Sequence, residues 1–177
     1  MIKSAIVGAS GYSGAEVFRI LSGHPNVELT AITSTSRQGS SISELYPNIT
    51  SSADMVFSSY SPTLAADNDI IFLALPHGQA MEIVPDLMAA GDAKIIDLSG
   101  DFRLPGSVYE SWYKKPHSSP SIIDSAVYGL SELNHGALLK ARLVANPGCY
   151  PTSIILAIAP LVIAKVISEP IVATCLS

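Results

Sequence analysis

Gly8-Ala9-Ser10-Gly11-Tyr12-Ser13-Gly14 stands between an apolar run, Ile2 to Val7, and a segment with helical spacing of apolar residues, Val17, Phe18, Ile20 and Leu21. A strand, a glycine loop and a helix in this order form a familiar unit. The glycines allow a tight turn, and backbone N–H groups at the helix N-terminus can approach a pyrophosphate. Gly8, Ser10, Gly11, Tyr12, Ser13 and Gly14 are therefore candidate cofactor contacts. The spacing is G-x-x-G-x-x-G, which departs from the usual G-x-G-x-x-G of dinucleotide sites, and a plain tight turn is the competing reading. The flanking strand and helix favour nucleotide binding, and Gly23 and Pro25 end the helix.

Val27 to Thr33 reads as the second strand. A carboxylate at its end would serve a ribose 2′-hydroxyl, but the sequence there is Thr33-Ser34-Thr35-Ser36-Arg37. Hydroxyls and an arginine suit a 2′-phosphate, so Ser36 and Arg37 point to NADP(H), against the alternative of a solvated loop arginine. Gln38 to Thr50 reads as mostly loop, Met55 to Phe57 as a short third strand, and Ser61-Pro62 as the start of a helical turn. Asp69 to Leu75 is an unbroken apolar strand of the kind a parallel sheet buries on both faces. It ends in Pro76-His77-Gly78, and a helix is expected from Gln79 to Ala90 with Gly91 as its stop. Ligands of such sheets bind at the carboxyl ends of strands, which puts Pro76 and His77 on the cofactor side. His77 either contacts the dinucleotide or caps the following helix.

Lys94 to Leu98 is the next strand, and Ser99-Gly100-Asp101-Phe102-Arg103 follows it. Ser99 and Arg103 here are candidate cofactor and substrate contacts; a turn with a local Asp–Arg pair is the plainer alternative. Pro105 to Pro120 should form a short helix and loop over the sheet, with His117 exposed. Val127 to Leu133 reads as irregular, Asn134 to Ala141 as a helix in which His135 is structural, and Arg142 to Ala145 as a strand.

That strand delivers Asn146-Pro147-Gly148-Cys149-Tyr150-Pro151-Thr152. Proline is favoured in a first helical turn, so Cys149 should open a helix, where N–H groups and the positive dipole end favour a thiolate nucleophile. A small buried cysteine in a turn is the alternative. Ser168-Glu169-Pro170 reads as a turn, and Ile171 to Leu176 as a new strand with Cys175 in its core.

Composition limits the function classes. Hydrophobic residues make up 48% of the 177 and charged ones 14%, enough for a substantial core. A net charge of −5 without a basic run argues against a nucleic-acid partner. Two cysteines in unlike contexts form neither a disulfide framework nor a metal-ligand spacing, which fits a reducing cytoplasm and no metal. The longest apolar stretch, Ile154 to Ile167, is broken by Pro160 and Lys165, so no membrane span is expected, and Met1-Ile2-Lys3 leads straight into a strand without the features of a leader. The fold class is α/β: a Rossmann-type, doubly wound, mainly parallel sheet over residues 1–148, then a nucleophile helix and the first strand of a second α/β domain over 149–177.

Four motifs stand in order: the glycine loop, Asp97-Leu98-Ser99-Gly100-Asp101-Phe102-Arg103-Leu104, Val127-Tyr128-Gly129-Leu130-Ser131-Glu132-Leu133, and Asn146-Pro147-Gly148-Cys149-Tyr150-Pro151-Thr152. Together they closely resemble the N-acetyl-gamma-glutamyl-phosphate reductase family. The resemblance implies an NADP-binding Rossmann domain, a second domain with substrate contacts and a catalytic histidine, and reduction of an acyl phosphate through a thioester on Cys149 in arginine biosynthesis. Asn146 would orient the thioester carbonyl, and Arg103 would meet phosphate or a substrate carboxylate. None of His24, His77, His117 or His135 matches the family's histidine, so little turnover is expected of these 177 residues alone. The implied partner is a small-molecule acyl phosphate, and the full-length protein is expected to be a homo-oligomer. Reduction of a carrier-linked aminoadipyl phosphate, reduction of aspartyl phosphate, and a non-catalytic NADP-binding module remain open alternatives.

Overall fold

A computed structural model describes residues 1–49, 54–168 and 170–176. The chain forms two compact units, Met1–Asn146 and Pro147–Ser177.

In the first unit β1 (Ile2–Val7) runs into the glycine loop and α1 (Tyr12–Ser22), and β2 (Val27–Thr33) follows. Two one-turn helices, α2 (Ile42–Leu45) and α3 (Leu64–Asp67), precede β3 (Ile70–Leu73). Then come α4 (Ala80–Ala90), β4 (Lys94–Asp97), α5 (Gly106–Tyr113), the one-turn α6 (Pro120–Ile123), β5 (Ala126–Tyr128), α7 (Ser131–Leu138) and β6 (Leu143–Ala145). The six strands form one sheet in the order β2-β1-β3-β4-β6-β5, and every pairing is parallel.

The period of two along the strands sorts the core into two clusters. Ile6, Ile32 and Phe72 join Phe18 of α1, with Ile42 and Phe57. Val7, Ile71, Leu73, Ile95 and Leu143 join Met81, Val84 and Leu87 of α4 with Tyr109 of α5. Since Ile6 and Val7 are adjacent on β1, α1 and α4 cover opposite faces, which makes the sheet doubly wound. The strand order reverses between β1 and β3, and a crevice opens at such a switch point beyond the carboxyl ends of the strands.

Two glycines bring α1 close to β1. Gly8 has φ +85, and a Cβ there would lie 2.5 Å from the Ala74 carbonyl oxygen. A Cβ on Gly14 would lie 2.5 Å from the Gly8 carbonyl oxygen and 2.6 Å from Ala9 Cα. Both obstacles are backbone, so neither can swing aside. Gly11, the helix N-cap, has φ −81 and would find only the Gly8 oxygen, at 3.7 Å.

Several expectations are corrected. Met55 to Phe57 is not a strand: among the described residues the segment makes the isolated bridge Ser41–Val56, and Ser58 just after it bridges Thr33. The Thr33–Ser58 bridge is parallel, so the segment lies beside β2 but pairs too briefly for a ladder. Val127 and Tyr128 belong to β5, whose apolar-aromatic triplet Ala126–Tyr128 pairs with β6 at the sheet edge. The segment from Gln38 is mostly loop, as expected, and carries the short α2, whose first turn is capped by Ser41 Oγ accepting from Glu44 N; Thr50 lies outside the described residues. Helix α7 begins at Ser131, three residues early, and kinks at Asn134, whose Nδ2 donates to the Tyr128 carbonyl.

In the second unit α8 (Cys149–Ile163) starts at the Gly148 N-cap, and Thr152 donates both N–H and Oγ1–H to the Gly148 carbonyl. Residues 171–176 form no strand, because among the described residues they have no ladder partner, and Cys175 is exposed. The turn expected at Ser168-Glu169-Pro170 includes Glu169, which lies outside the described residues. No helix among the described residues is long and apolar enough to cross a membrane.

The glycine geometry predicts a contrast in urea unfolding. Gly14→Ala should cost about 1–3 kcal/mol, the range for overpacking a tight contact, whereas Gly11→Ala should cost less than about 1 kcal/mol. Equal losses would mean that the contact of α1 with the loop is not tight.

Candidate dinucleotide-binding site

The glycine loop is tied down on the side of β2. Gly8 N and Ala9 N donate to the Thr33 carbonyl, Ser10 Oγ meets Ser34 Oγ at 2.7 Å, and Tyr46 OH donates to the Ser10 carbonyl. No side chain caps α1 and its first turn holds no acid, so a helix N-terminus faces the loop without a protein carboxylate.

A cavity of about 350 Å³ opens at the switch point, lined by Gly8, Ser10 and Gly11, by Thr33–Thr35 at the end of β2, and by Tyr60, Leu75, Pro76, Gln79 and Ile83. A second, of about 290 Å³, shares Gly11, Ala74, Leu75 and Pro76 with it and adds Tyr12, Ser13 and Leu98. The two together make one cleft that crosses the glycine loop from the end of β2 towards the end of β4. Cofactor pockets run from about 300 to 1,000 Å³. The Tyr60 hydroxyl is buried in the wall without a hydrogen-bond partner among the described residues. Burial, with the Asp86 carboxylate adding, pushes its pKa up to about 12, so it stays a neutral donor.

The other candidate residues fall into distinct settings. Gly14 is buried under the loop. Ser36 and Arg37 are exposed just past the cavity-lining hydroxyls. Their loop is stapled by Arg37 N donating to Ser34 Oγ, Ser40 Oγ donating to the Arg37 carbonyl, and Gly39 N donating to the Phe57 carbonyl. His77 is exposed, and its Nδ1 accepts from Gly100 N at 2.7 Å; it joins two loops and does not cap α4. Ser99 faces inward: its Oγ donates to Asp97 and accepts from Asp101 N. Arg103 donates from Nε to the Asn146 carbonyl and from Nη2 to the Leu98 carbonyl, both at 2.7 Å, which clamps the β4 and β6 ends together. Asn146 N in turn donates to the Asp97 carbonyl.

Of three polar residues behind the cleft, Asp101 reads from the sequence as part of a polar cluster, whereas Asp97 and His117 do not. Asp97 is fully buried at the end of β4, accepting from Ser99 N and Ser99 Oγ. Burial pushes its carboxyl up to about 6, Asp101 adds to this, and the Ser99 donors and Arg103 oppose it. Asp101, also fully buried, accepts from Gly78 N and Met81 N and so caps the start of α4. His117 is corrected from exposed to buried, at 5% exposure. Its Nδ1 accepts from Ser119 N, which leaves Nε2 as the donor to the Asp101 carbonyl, and its ring packs edge-on against Phe102 and Tyr109. The left-handed turn at Lys114 (φ 54) folds this segment back over α5, and nothing in its Pro-Ser-Lys surroundings signals that.

The family described as "Semialdehyde dehydrogenase, NAD binding domain" matches residues 3–141. The chain belongs to this family. Curated relatives named N-acetyl-gamma-glutamyl-phosphate reductase are 49% identical over 100% of the chain in Herminiimonas arsenicoxydans and 50% identical over 93% of it in Syntrophobacter fumaroxidans. The chain spans only 52% and 48% of those two proteins, about half their length. Among solved structures, aspartate semialdehyde dehydrogenase II from Vibrio cholerae matches 93% of the chain and 47% of its own, with TM-score 0.67 at 17% identity. The enzyme from Francisella tularensis matches 93% of the chain and 42% of its own, with TM-score 0.63 at 20% identity. These likenesses bear on the fold alone, a doubly wound, parallel Rossmann-type sheet.

Asp97 yields a pH prediction. Its folded pKa lies above the ordinary 3.8, so the folded state holds the proton more tightly than the unfolded one. Its contribution to stability therefore falls as pH rises from about 4 through about 6. Asp97→Asn should remove that slope, and the variant-minus-parent difference in unfolding free energy should climb by about 2–3 kcal/mol across the window. A flat difference in denaturant melts at pH 4, 5, 6 and 7 would refute the shift.

Proposed function

We propose that this chain is the NADP-binding part of an N-acetyl-gamma-glutamyl-phosphate reductase. The observation that carries the reading is the cleft at the switch point, walled by a glycine loop, an uncapped helix N-terminus and the hydroxyls that end β2. A Cβ on Gly11 would meet no more than ordinary contact with the Gly8 carbonyl, which leaves room for a pyrophosphate beside the loop, and the Tyr60 hydroxyl offers a donor in the wall, so the residues present fit a dinucleotide. Ser36 and Arg37 stand where a 2′-phosphate needs donors and positive charge, and no carboxylate stands there to repel it. The relatives' shared name supports the acyl phosphate as substrate.

The chemistry assigned to this chain is acyl transfer. Cys149 is exposed at the first position of α8. Its thiolate attacks the acyl carbonyl, a C–S bond forms, the C–O bond to phosphorus breaks, and inorganic phosphate departs. The N–H groups of the first turn of α8 stabilise the oxyanion that develops on the carbonyl oxygen. Asn146 holds the substrate carbonyl in place, and Arg103, beyond its two backbone bonds, contributes positive charge towards the phosphate. NADPH, when bound, supplies the hydride that turns the resulting thioester into an aldehyde. Two free cysteines and a small charged substrate suit a reducing cytoplasm, and the exposed apolar residues Leu161, Val162 and Ile163 of α8 suit burial in a homo-oligomer or the remainder of a longer protein.

Two measurements test the proposal. NADPH should bind about tenfold more tightly than NADH, and Arg37→Ala should erase the preference; equal affinities in the parent would remove the 2′-phosphate site. Incubated with N-acetyl-γ-glutamyl phosphate and no cofactor, the chain should gain one acyl group on Cys149, read by intact and peptide mass, and Cys149→Ser should gain none. Absence of the adduct, together with a Cys149 inert to iodoacetamide, would leave a binding module without a nucleophile.

A further inference from the structure

The loops after β3 and β4 are joined crosswise. His77, in the β3 loop, accepts through Nδ1 from Gly100 N of the β4 loop at 2.7 Å. Asp101, in the β4 loop, accepts through Oδ1 from Gly78 N of the β3 loop, also at 2.7 Å, and through Oδ2 from Met81 N at 3.1 Å. Each loop thus supplies one side-chain acceptor and one backbone donor to the other. The register of β3 with β4 ends at Leu73–Asp97, so beyond that point side chains must do what the ladder no longer does. Asp101 is held by its burial and by His117 Nε2 on its carbonyl. His77 is exposed, its ring 5.8 Å from the Tyr113 ring, so its half of the exchange depends on the hydrogen bond itself. The joined loops carry Leu75, Pro76 and Leu98, which wall the cleft on its β4 side.

We propose that His77 is a positioning residue for the dinucleotide: through Nδ1 it holds Gly100, and with Asp101 on Gly78 it closes a two-way latch that sets the width of the cleft at the end of β4. The inference rests on the dinucleotide reading of that cleft. It gives His77 a role through its δ-position lone pair and not through its ring face. Because Gly100 N is the donor, Nδ1 bears no proton and the Nε2–H tautomer is the one that closes the latch. The charged and titratable groups around the latch include Tyr109 and Asp97 beside the Asp101 carboxylate, His117 on the Asp101 carbonyl, Tyr113 beside His77, and Lys115 over Gly78.

Side-chain replacements separate the latch from a direct contact. Asn places an acceptor oxygen where Nδ1 stands, Gln places it a bond further out, and Ala has none. In the 177-residue chain, exchange of the Gly100 amide proton, followed by NMR without cofactor, should be nearly unchanged in His77→Asn. It should be about tenfold faster in His77→Ala and His77→Gln, the worth of one hydrogen bond. NADPH titrated by fluorescence should follow the same order, with Asn within about threefold of the parent and Ala and Gln weaker by about tenfold. If Gly100 exchange does not move in His77→Ala, or if His77→Asn loses as much affinity as His77→Ala, the latch is overturned. A parent that fails to bind NADPH overturns the cofactor reading instead, and the exchange rates, which need no cofactor, tell the two failures apart.

Discussion

The contact of Gly14 with the Gly8 carbonyl is the constraint on which the first unit depends. It lets α1 begin directly against the end of β1, with no side chain between them. That closeness puts the helix N-terminus at the point where the strand order reverses, where Gly11, Tyr12 and Ser13 line the cleft. The same turn hands Gly8 N and Ala9 N to the Thr33 carbonyl, so the loop is fixed to the end of β2 as well as to its own helix. The cleft is therefore a consequence of how closely backbone can pack, and the lining residues come after it.

The far wall is built differently. Behind β4 the ends of the strands are held by buried polar groups: Asp97 on Ser99, Asp101 on Gly78 and Met81, and Arg103 on two carbonyls. Each gives unpaired backbone donors or acceptors a partner where no ladder continues, and leaving them unpaired in the interior would cost more than making the bonds gains. Asp97 shows the cost of this solution, since burial lifts its pKa well above the ordinary carboxylate value. A motif rich in serine, acid and arginine can thus tie strand ends together through its side chains.

Much of the first unit was legible in the linear order of residues. Strands β1, β2 and β4, the glycine loop, α1, α4 and the helix opening at Cys149 follow from local rules: apolar runs, helical periodicity, and glycine or proline at ends. These rules act over a few residues and need no knowledge of neighbours. Among the short elements β6 and the turn of α3 were legible, and β5 and α2 were not. Ala126–Tyr128 is a strand only because β6 lies beside it, and 55–57 fails to become one because its partners are single bridges. Residues 171–176 have strand-like composition and no ladder, since composition cannot supply a pairing partner.

Residue identity by itself determined the α/β class, the glycine loop and the placing of a cysteine at a helix start, because those depend on backbone freedom and short-range periodicity. Only tertiary structure decided which polar residues face the cleft. His117 is the clearest case: among Pro, Ser and Lys it reads as exposed, yet a left-handed turn at Lys114 folds it into the interior against Asp101. His77 and Ser99 were both readable as cofactor contacts, and the structure gives the one to Gly100 and the other to Asp97. A side chain's partner is set by which strand end lies next to its own. That adjacency comes from the order of the sheet, which brings residues 77 and 100 within 2.7 Å across a separation in sequence of 23.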